Sequence, residues 1–178
     1  MPITAIIEKA RSAGFETAAP LSVDTLRFMP EVRDMCKADR CHQYNHCWTC
    51  PPACGTLEEC AEMTRRYKKG VLLQTVGEIE DSFDLEGYKR VEELHKQRLL
   101  QLVETLCGEN ADFLPMGAGA CTVCTECTFP ESPCRHPEKA VISMEAFGLW
   151  VSDVCKKNDV PYNYGENKIA YTSCILVN

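Results

Sequence analysis

The chain has 178 residues, 45% hydrophobic and 25% charged, the balance of an ordinary globular protein, so one domain over 1–178 is expected and disorder or fibrous repeats are disfavoured. The formal charge of -7, from 19 Lys and Arg against 26 Asp and Glu, opposes the counterion release that drives binding to nucleic acid or anionic lipid; neither is an expected partner. No run approaches the ~20 apolar residues that span a bilayer, and Met1-Pro2-Ile3-Thr4 lacks the basic-then-apolar opening of an export signal, so a cytoplasmic location is expected.

Ile3, Ile6, Ile7 and Ala10 form a helical stripe that predicts a helix over 3–12, with Gly14 where a left-handed cap would sit. Thr56-Leu57-Glu58-Glu59 is a capping-box pattern, in which hydroxyl and carboxylate each satisfy a free backbone amide, and predicts a helix from there to near Gly70. Arg65, Arg66, Lys68 and Lys69 at its end would complement the helix dipole as a solvated face; a docking patch for an acidic redox partner is the alternative. Val71 to Val76 is short, apolar and follows a stop signal, which marks a buried strand.

From Leu85 to Leu106, apolar residues at Tyr88, Val91, Leu94, Leu99, Leu102, Val103 and Leu106 recur mostly at steps of three and four, predicting the longest helix, closed by Gly108. His95 within it reads as structural. Phe113 to Met116 predicts a short strand that Pro115 places at an edge or an end. Ser143 to Ala146 and Leu149 to Lys157 suggest one or two helices, and Ile169 to Val177 a terminal strand. The expected fold is α/β: a small mixed sheet flanked by helices, with cysteine-rich loops at 36–60 and 121–134 on its edge. Gly117-Ala118-Gly119-Ala120 is a small-residue hinge into the second loop.

Cysteine departs from the average, with 13 residues, an odd number. In a chain long enough to bury its own core, grouped thiols point to a metal rather than a disulfide framework. Cys36, Cys41, Cys47, Cys50, Cys54 and Cys60 form one group; Cys121, Cys124, Cys127 and Cys134 form another. Cys107, Cys155 and Cys174 stand alone and read as packing. Cys121-x2-Cys124-x2-Cys127 is close to a ferredoxin run, because a tight loop around a cubane presents thiolates every third residue and turns its amides toward the sulfides. Zinc ribbons instead pair two C-x2-C knuckles from distant segments. An iron–sulfur cluster is therefore the first expectation, held by Cys121, Cys124, Cys127 and Cys134, with zinc as the alternative.

The first group follows C-x4-C-x5-C-x2-C-x3-C-x5-C, and Pro51-Pro52 removes two backbone donors and stiffens its loop. Cys36, Cys41, Cys50 and Cys54 are the expected ligands, with Cys47 as substitute and Cys60 a turn into the following helix. A zinc knuckle is again the alternative. His42, His46 and His136 are secondary candidates through imidazole. Glu145 reads either as a helix cap or as a neighbour of the second group.

Val32-Arg33, Cys36-x4-Cys41-x2-Tyr44-x3-Trp48-x-Cys50-Pro51-Pro52, followed by the second run, Pro133-Cys134-Arg135-x-Pro137-Glu138-Lys139-Ala140 and Ser143-Met144-Glu145-Ala146-x-Gly148, resembles the DUF2284 family of predicted metal-binding proteins. The resemblance covers roughly residues 26 to 155. It implies metal binding and attaches no reaction to it; Cys47, Cys54 and Cys60 lie outside the family core. Taken together, these features lead us to expect an iron–sulfur protein with two [4Fe-4S] sites that exchanges single electrons with a protein redox partner. The alternatives are an enzyme with an open iron acting as Lewis acid, or a structural zinc module. Walker, Gly-x-Gly-x-x-Gly and Gly-x-Ser-x-Gly motifs do not occur.

Overall fold

The computed structural model describes residues 1–178. The elements run α1 (Ile3–Ser12), β1 (Thr17–Ser22), α2 (Pro30–Lys37), α3 (Leu57–Thr64), β2 (Lys69–Glu78), α4 (Leu85–Gly108), β3 (Phe113–Met116), α5 (Val151–Lys157) and β4 (Lys168–Val177), with a 3-10 turn at Val23–Thr25. One sheet forms in the order β1-β2-β4-β3. The α/β class expected from the sequence holds, with one refinement: the sheet is antiparallel throughout instead of mixed. The reason is topological. Through α4 the chain passes from β2 to β3, which point the same way, but β4 inserts between them and opposes both.

The central strands β2 and β4 are buried on both faces, which is why Val71-Leu72-Leu73 is consecutively apolar and why the Gln74 and Thr75 that follow are buried as well. Val71 and Leu73, with Ile175 and Val177, face a core completed by Ile6 and Ala10 of α1 and by Leu99, Leu102, Val103 and Leu106 of α4. Leu72, Cys174 and Leu176 alternate to the opposite face, against Cys60 of α3, Val154 and Cys155 of α5, and Met144, Phe147 and Leu149. Cys155 and Cys174 are thus core residues, as expected. Cys107 is exposed, because the buried stripe of α4 passes through Val103 and Leu106 and leaves it to one side.

The capping box forms: Thr56 Oγ1 accepts from the Glu59 amide at 3.1 Å and the Glu59 carboxylate accepts from the Thr56 amide at 2.7 Å. The helix it starts is shorter than expected, since Gly70 is a strand residue and not a helix stop. It pairs with Leu21 and Leu176, and a Cβ there would lie 2.6 Å from the Ile175 carbonyl oxygen. The basic residues lie beyond the helix, with Arg65 paired to Glu62 and Arg66 to Asp112. Residues 143–148 form a turn rather than a helix; the Gly117 amide donates to Ile142 and the Met144 amide to Gly117, a strand-like bridge that competes with helical bonding. No helix is long and apolar enough to cross a membrane.

His95 is fully buried on α4. Its Nδ1 lies 3.1 Å from Thr75 Oγ1 and its ring meets Phe15 edge-on at 5.5 Å, while Nε2 has no partner. Burial, with help from Arg98 and Lys96, lowers its pKa from 6.5 to about 3. The unfolded chain takes up this proton below pH 6.5 and the folded one does not, so stability is lost as pH falls through that window. Relative to His95→Leu, the wild type should lose about 2 kcal/mol between pH 7 and pH 5 in urea unfolding, since each unit of suppressed titration is worth about 1.4 kcal/mol. A pH-independent difference would show that His95 is protonated in the core.

Candidate metal centre

Helix α2 starts with Pro30 in its first turn, where the missing N–H costs nothing. Its entry is tied to the 143–149 turn by the Met29 amide on the Gly148 carbonyl at 2.8 Å and by the Phe28–Leu149 bridge. Gly148 has φ +82°, and a methyl there would meet Leu57 Cδ1 at 2.4 Å, so this crossing needs glycine. Val32 and Cys36, one turn apart, share a face of α2, with Arg33 beside them. Arg33 joins three segments: Nη1 donates to the Ala146 carbonyl at 2.5 Å and to Cys60 Sγ at 3.6 Å, and Nη2 donates to the Gly55 carbonyl at 2.6 Å. Only a planar fork reaches all of these at once.

The loop after α2 is coiled by left-handed residues at Asp39, His42 and Asn45. The Asp39 carboxylate accepts from the Tyr44 amide at 2.9 Å, and the Asn45 amide donates to the Pro51 carbonyl at 2.8 Å. This coiling leaves Cys41 exposed and turns Cys47, Cys50 and Cys54 inward. Cys36 Sγ lies 4.0 Å from the Glu145 carbonyl oxygen. Burial and then the Glu145 charge raise the Cys36 thiol. Cys41 is a charge neighbour of both Cys36 and Cys50.

The other thiols of this group interact in pairs. Cys60 Sγ donates to the Cys54 carbonyl at 3.8 Å; the neighbouring Cys54 thiol and then Arg33 lower Cys60 to about 7, while Cys60 and burial push Cys54 up. Hydrogen bonds from Cys50, then Thr49 and Cys127, lower Cys47 to about 5; giving up that bond, together with burial, pushes Cys50 up.

The second run leaves β3, an outer strand, through Gly117 and the left-handed Gly119. Its return is closed by the Ser132 amide on the Thr128 carbonyl at 3.0 Å, Thr128 Oγ1 on the Pro133 carbonyl at 2.9 Å, and Arg135 Nη1 on the Glu126 carbonyl at 2.9 Å. Trp48 brings the two loops together. Its Nε1 donates to the Ser132 carbonyl at 3.1 Å, and its ring meets Phe129 edge-on with centroids 4.9 Å apart. The result is a cavity lined by Cys121, Cys124, Cys127 and Cys134, and also by Cys47 and His136.

The four cysteines expected at the second site thus share one cavity. Of those expected at the first, Cys41 lies within charge range of Cys36 and Cys50, and Cys54 is engaged with Cys60. His42 and His46 are exposed. No three Cys, His, Asp or Glu side chains converge tightly enough to hold a single ion. Glu145 sits beside Cys36, and its Oε2 is enclosed without a hydrogen-bond partner, so burial raises its carboxyl. Sequence spacing did not reveal the place of Cys47 or the joining role of Arg33; the Trp48 beside Cys47 was the one available signal for the former.

The chain matches the family described as "Predicted metal-binding protein (DUF2284)" over residues 19–177. It belongs to that family. No curated protein and no solved structure matches it. The DUF2284 match spans both cysteine groups and the sheet that carries them, and it supports metal binding.

Arg33→Met should destabilise the protein by about 2–4 kcal/mol in urea unfolding, because it strips charged donors from the Gly55 and Ala146 carbonyls. Arg33→Lys should recover only part of that, since an ammonium cannot span both. Full recovery by lysine would show that charge, and not the fork, holds these segments.

Proposed function

We propose that this DUF2284 protein is an iron–sulfur protein that carries single electrons to or from a protein partner, with two [4Fe-4S] clusters. Cys36, Cys41, Cys50 and Cys54 would hold one, and Cys121, Cys124, Cys127 and Cys134 the other. The observation that carries this reading is the cavity whose walls bear all four cysteines of the second run. Its donor set is soft, and sulfurs spread around a cavity suit a core of several atoms. The clusters would supply reversible one-electron chemistry. The chain's own part is to present thiolates, surround them with apolar residues and backbone amides, and limit water, the factors that set potential.

A second reading is favoured by one observation. Cys54 is engaged with Cys60, whose Sγ donates to the Cys54 carbonyl at 3.8 Å, and is thereby turned from the other expected ligands. An iron at the first site without a fourth thiol would be free to act as a Lewis acid toward a substrate.

Protein purified without oxygen should be brown, with iron and acid-labile sulfide in equal amounts. Cys124→Ala should lose about half of that iron and Cys174→Ala almost none, because Cys174 lies in the sheet core. Equal losses in the two variants would overturn the division between site and core. Zinc without visible absorbance would overturn the iron–sulfur reading. A cluster spectrum that changes on adding a small carboxylate or thiol would favour the open-iron reading.

A further inference from the structure

We propose that the exposed tip between β2 and α4 is the surface on which the electron-transfer partner docks, and that this partner is a basic protein presenting an apolar spot ringed by Lys or Arg. This deepens the two-cluster reading above and rests on it for the electron step. Residues 78–86 carry Glu78, Glu80, Asp81, Asp84 and Glu86, and no Lys or Arg lies between Lys69 and Lys89. None of these five carboxylates is in an ion pair. Among them stand Phe83, 85% exposed, and Leu85, 77% exposed, the two most exposed large hydrophobic residues of the chain. An open groove lies beside them, with Ile79, Phe83 and Leu85 in its walls and Arg90 as its one cation.

The pair is held outward by the backbone around it. Asp81 Oδ1 accepts from the Phe83 amide at 2.7 Å, the Leu85 amide donates to the Phe83 carbonyl at 2.8 Å, and Asp84 accepts from the Glu80 and Gly87 amides at 3.0 and 2.8 Å. Arg90 is occupied in part by the Glu78 carbonyl, to which it donates at 3.2 Å. Apolar side chains inside a rim of one charge fit a partner with the opposite rim: the charges steer and orient it, and the apolar centre excludes water. The place suits electron exchange. Helix α4 starts at the tip, and about 10 Å further along its axis Glu92 lies against Gly119 and Lys96 shares a cavity with Cys121, at the entry to the second cysteine run. A second copy of the chain is a poorer fit. Its basic run is at the far end of β2 with Arg65 and Arg66 already paired, and a head-to-tail contact of that kind does not close into a dimer.

The test titrates the holoprotein, purified without oxygen, with cytochrome c, a basic haem protein, at low and at physiological ionic strength. Binding is read by calorimetry, and haem reduction is then followed on mixing with the reduced holoprotein. In that step one electron leaves the holoprotein and reduces one Fe(III) haem to Fe(II), with no proton or covalent bond transferred. Wild type should bind, more weakly at the higher salt. Phe83→Ser with Leu85→Ser, and Glu80→Lys with Glu86→Lys, should each weaken binding about tenfold or more and slow haem reduction while iron content stays unchanged. Glu8→Lys with Asp24→Lys shifts the net charge by the same amount at other exposed positions and should leave binding nearly as in wild type. Equal weakening by the two charge-reversed pairs would show that net charge alone attracts the probe and would overturn the docking site. So would undiminished binding by the Phe83→Ser, Leu85→Ser protein, or no binding by wild type. Self-association of the wild type that this serine pair abolishes would make a second copy the occupant and overturn the partner. A wild type that holds no iron and still binds the probe at the tip would keep the docking surface and remove the two-cluster reading.

Discussion

The docking of Trp48 onto the turn at Phe129 and Ser132 is the contact on which the candidate site depends. It joins residues 84 positions apart in the chain. Taken singly, an indole hydrogen bond and an edge-on aromatic contact are each worth about 1 kcal/mol. Their consequence is larger than their energy, because they decide which sulfurs face one another. With Trp48 in place, Cys47 is carried across to the second run; without it, the two cysteine loops would be separate appendages of the sheet.

Arg33 does the complementary work on the α2 side. A single guanidinium on α2 binds the loop before α3 and the turn before α5, so two segments without regular structure share one anchor. Beneath them lies a sheet whose central strands are buried on both faces by two distinct cores. The division is a familiar physical one: irregular loops carry the reactive side chains, and a packed scaffold limits how far they move. Thiols held this way still have to lose protons to bind a metal.

Several elements were legible from local chemistry alone. The Ile3–Ser12 stripe, the Thr56 capping box, the long α4 periodicity and the apolar run of β2 each satisfy a rule that involves only near neighbours in sequence. β1 and α2 were not legible for the same reason. Thr17-Ala18-Ala19-Pro20-Leu21-Ser22 has no β-branched alternation and becomes a strand because β2 offers it an edge. Helix α2 buries only Val32 and takes its place from Arg33 and the Gly148 contact. Gly70 misled in the opposite direction: glycine permits a helix stop and a close strand crossing equally, and only the neighbouring Ile175 carbonyl decides between them.

The sequence by itself determined that the chain carries two groups of soft donors at spacings suited to a metal, set apart from sheet-core thiols such as Cys174. That follows because ligand spacing in a tight loop is a short-range property. Only the tertiary structure decided the partners of each sulfur: that Cys47 turns to the second group, that Cys54 turns to Cys60, and that Cys107 reaches solvent. Those outcomes depend on where Trp48, Arg33 and α4 are packed, and such long-range contacts leave no period in the sequence.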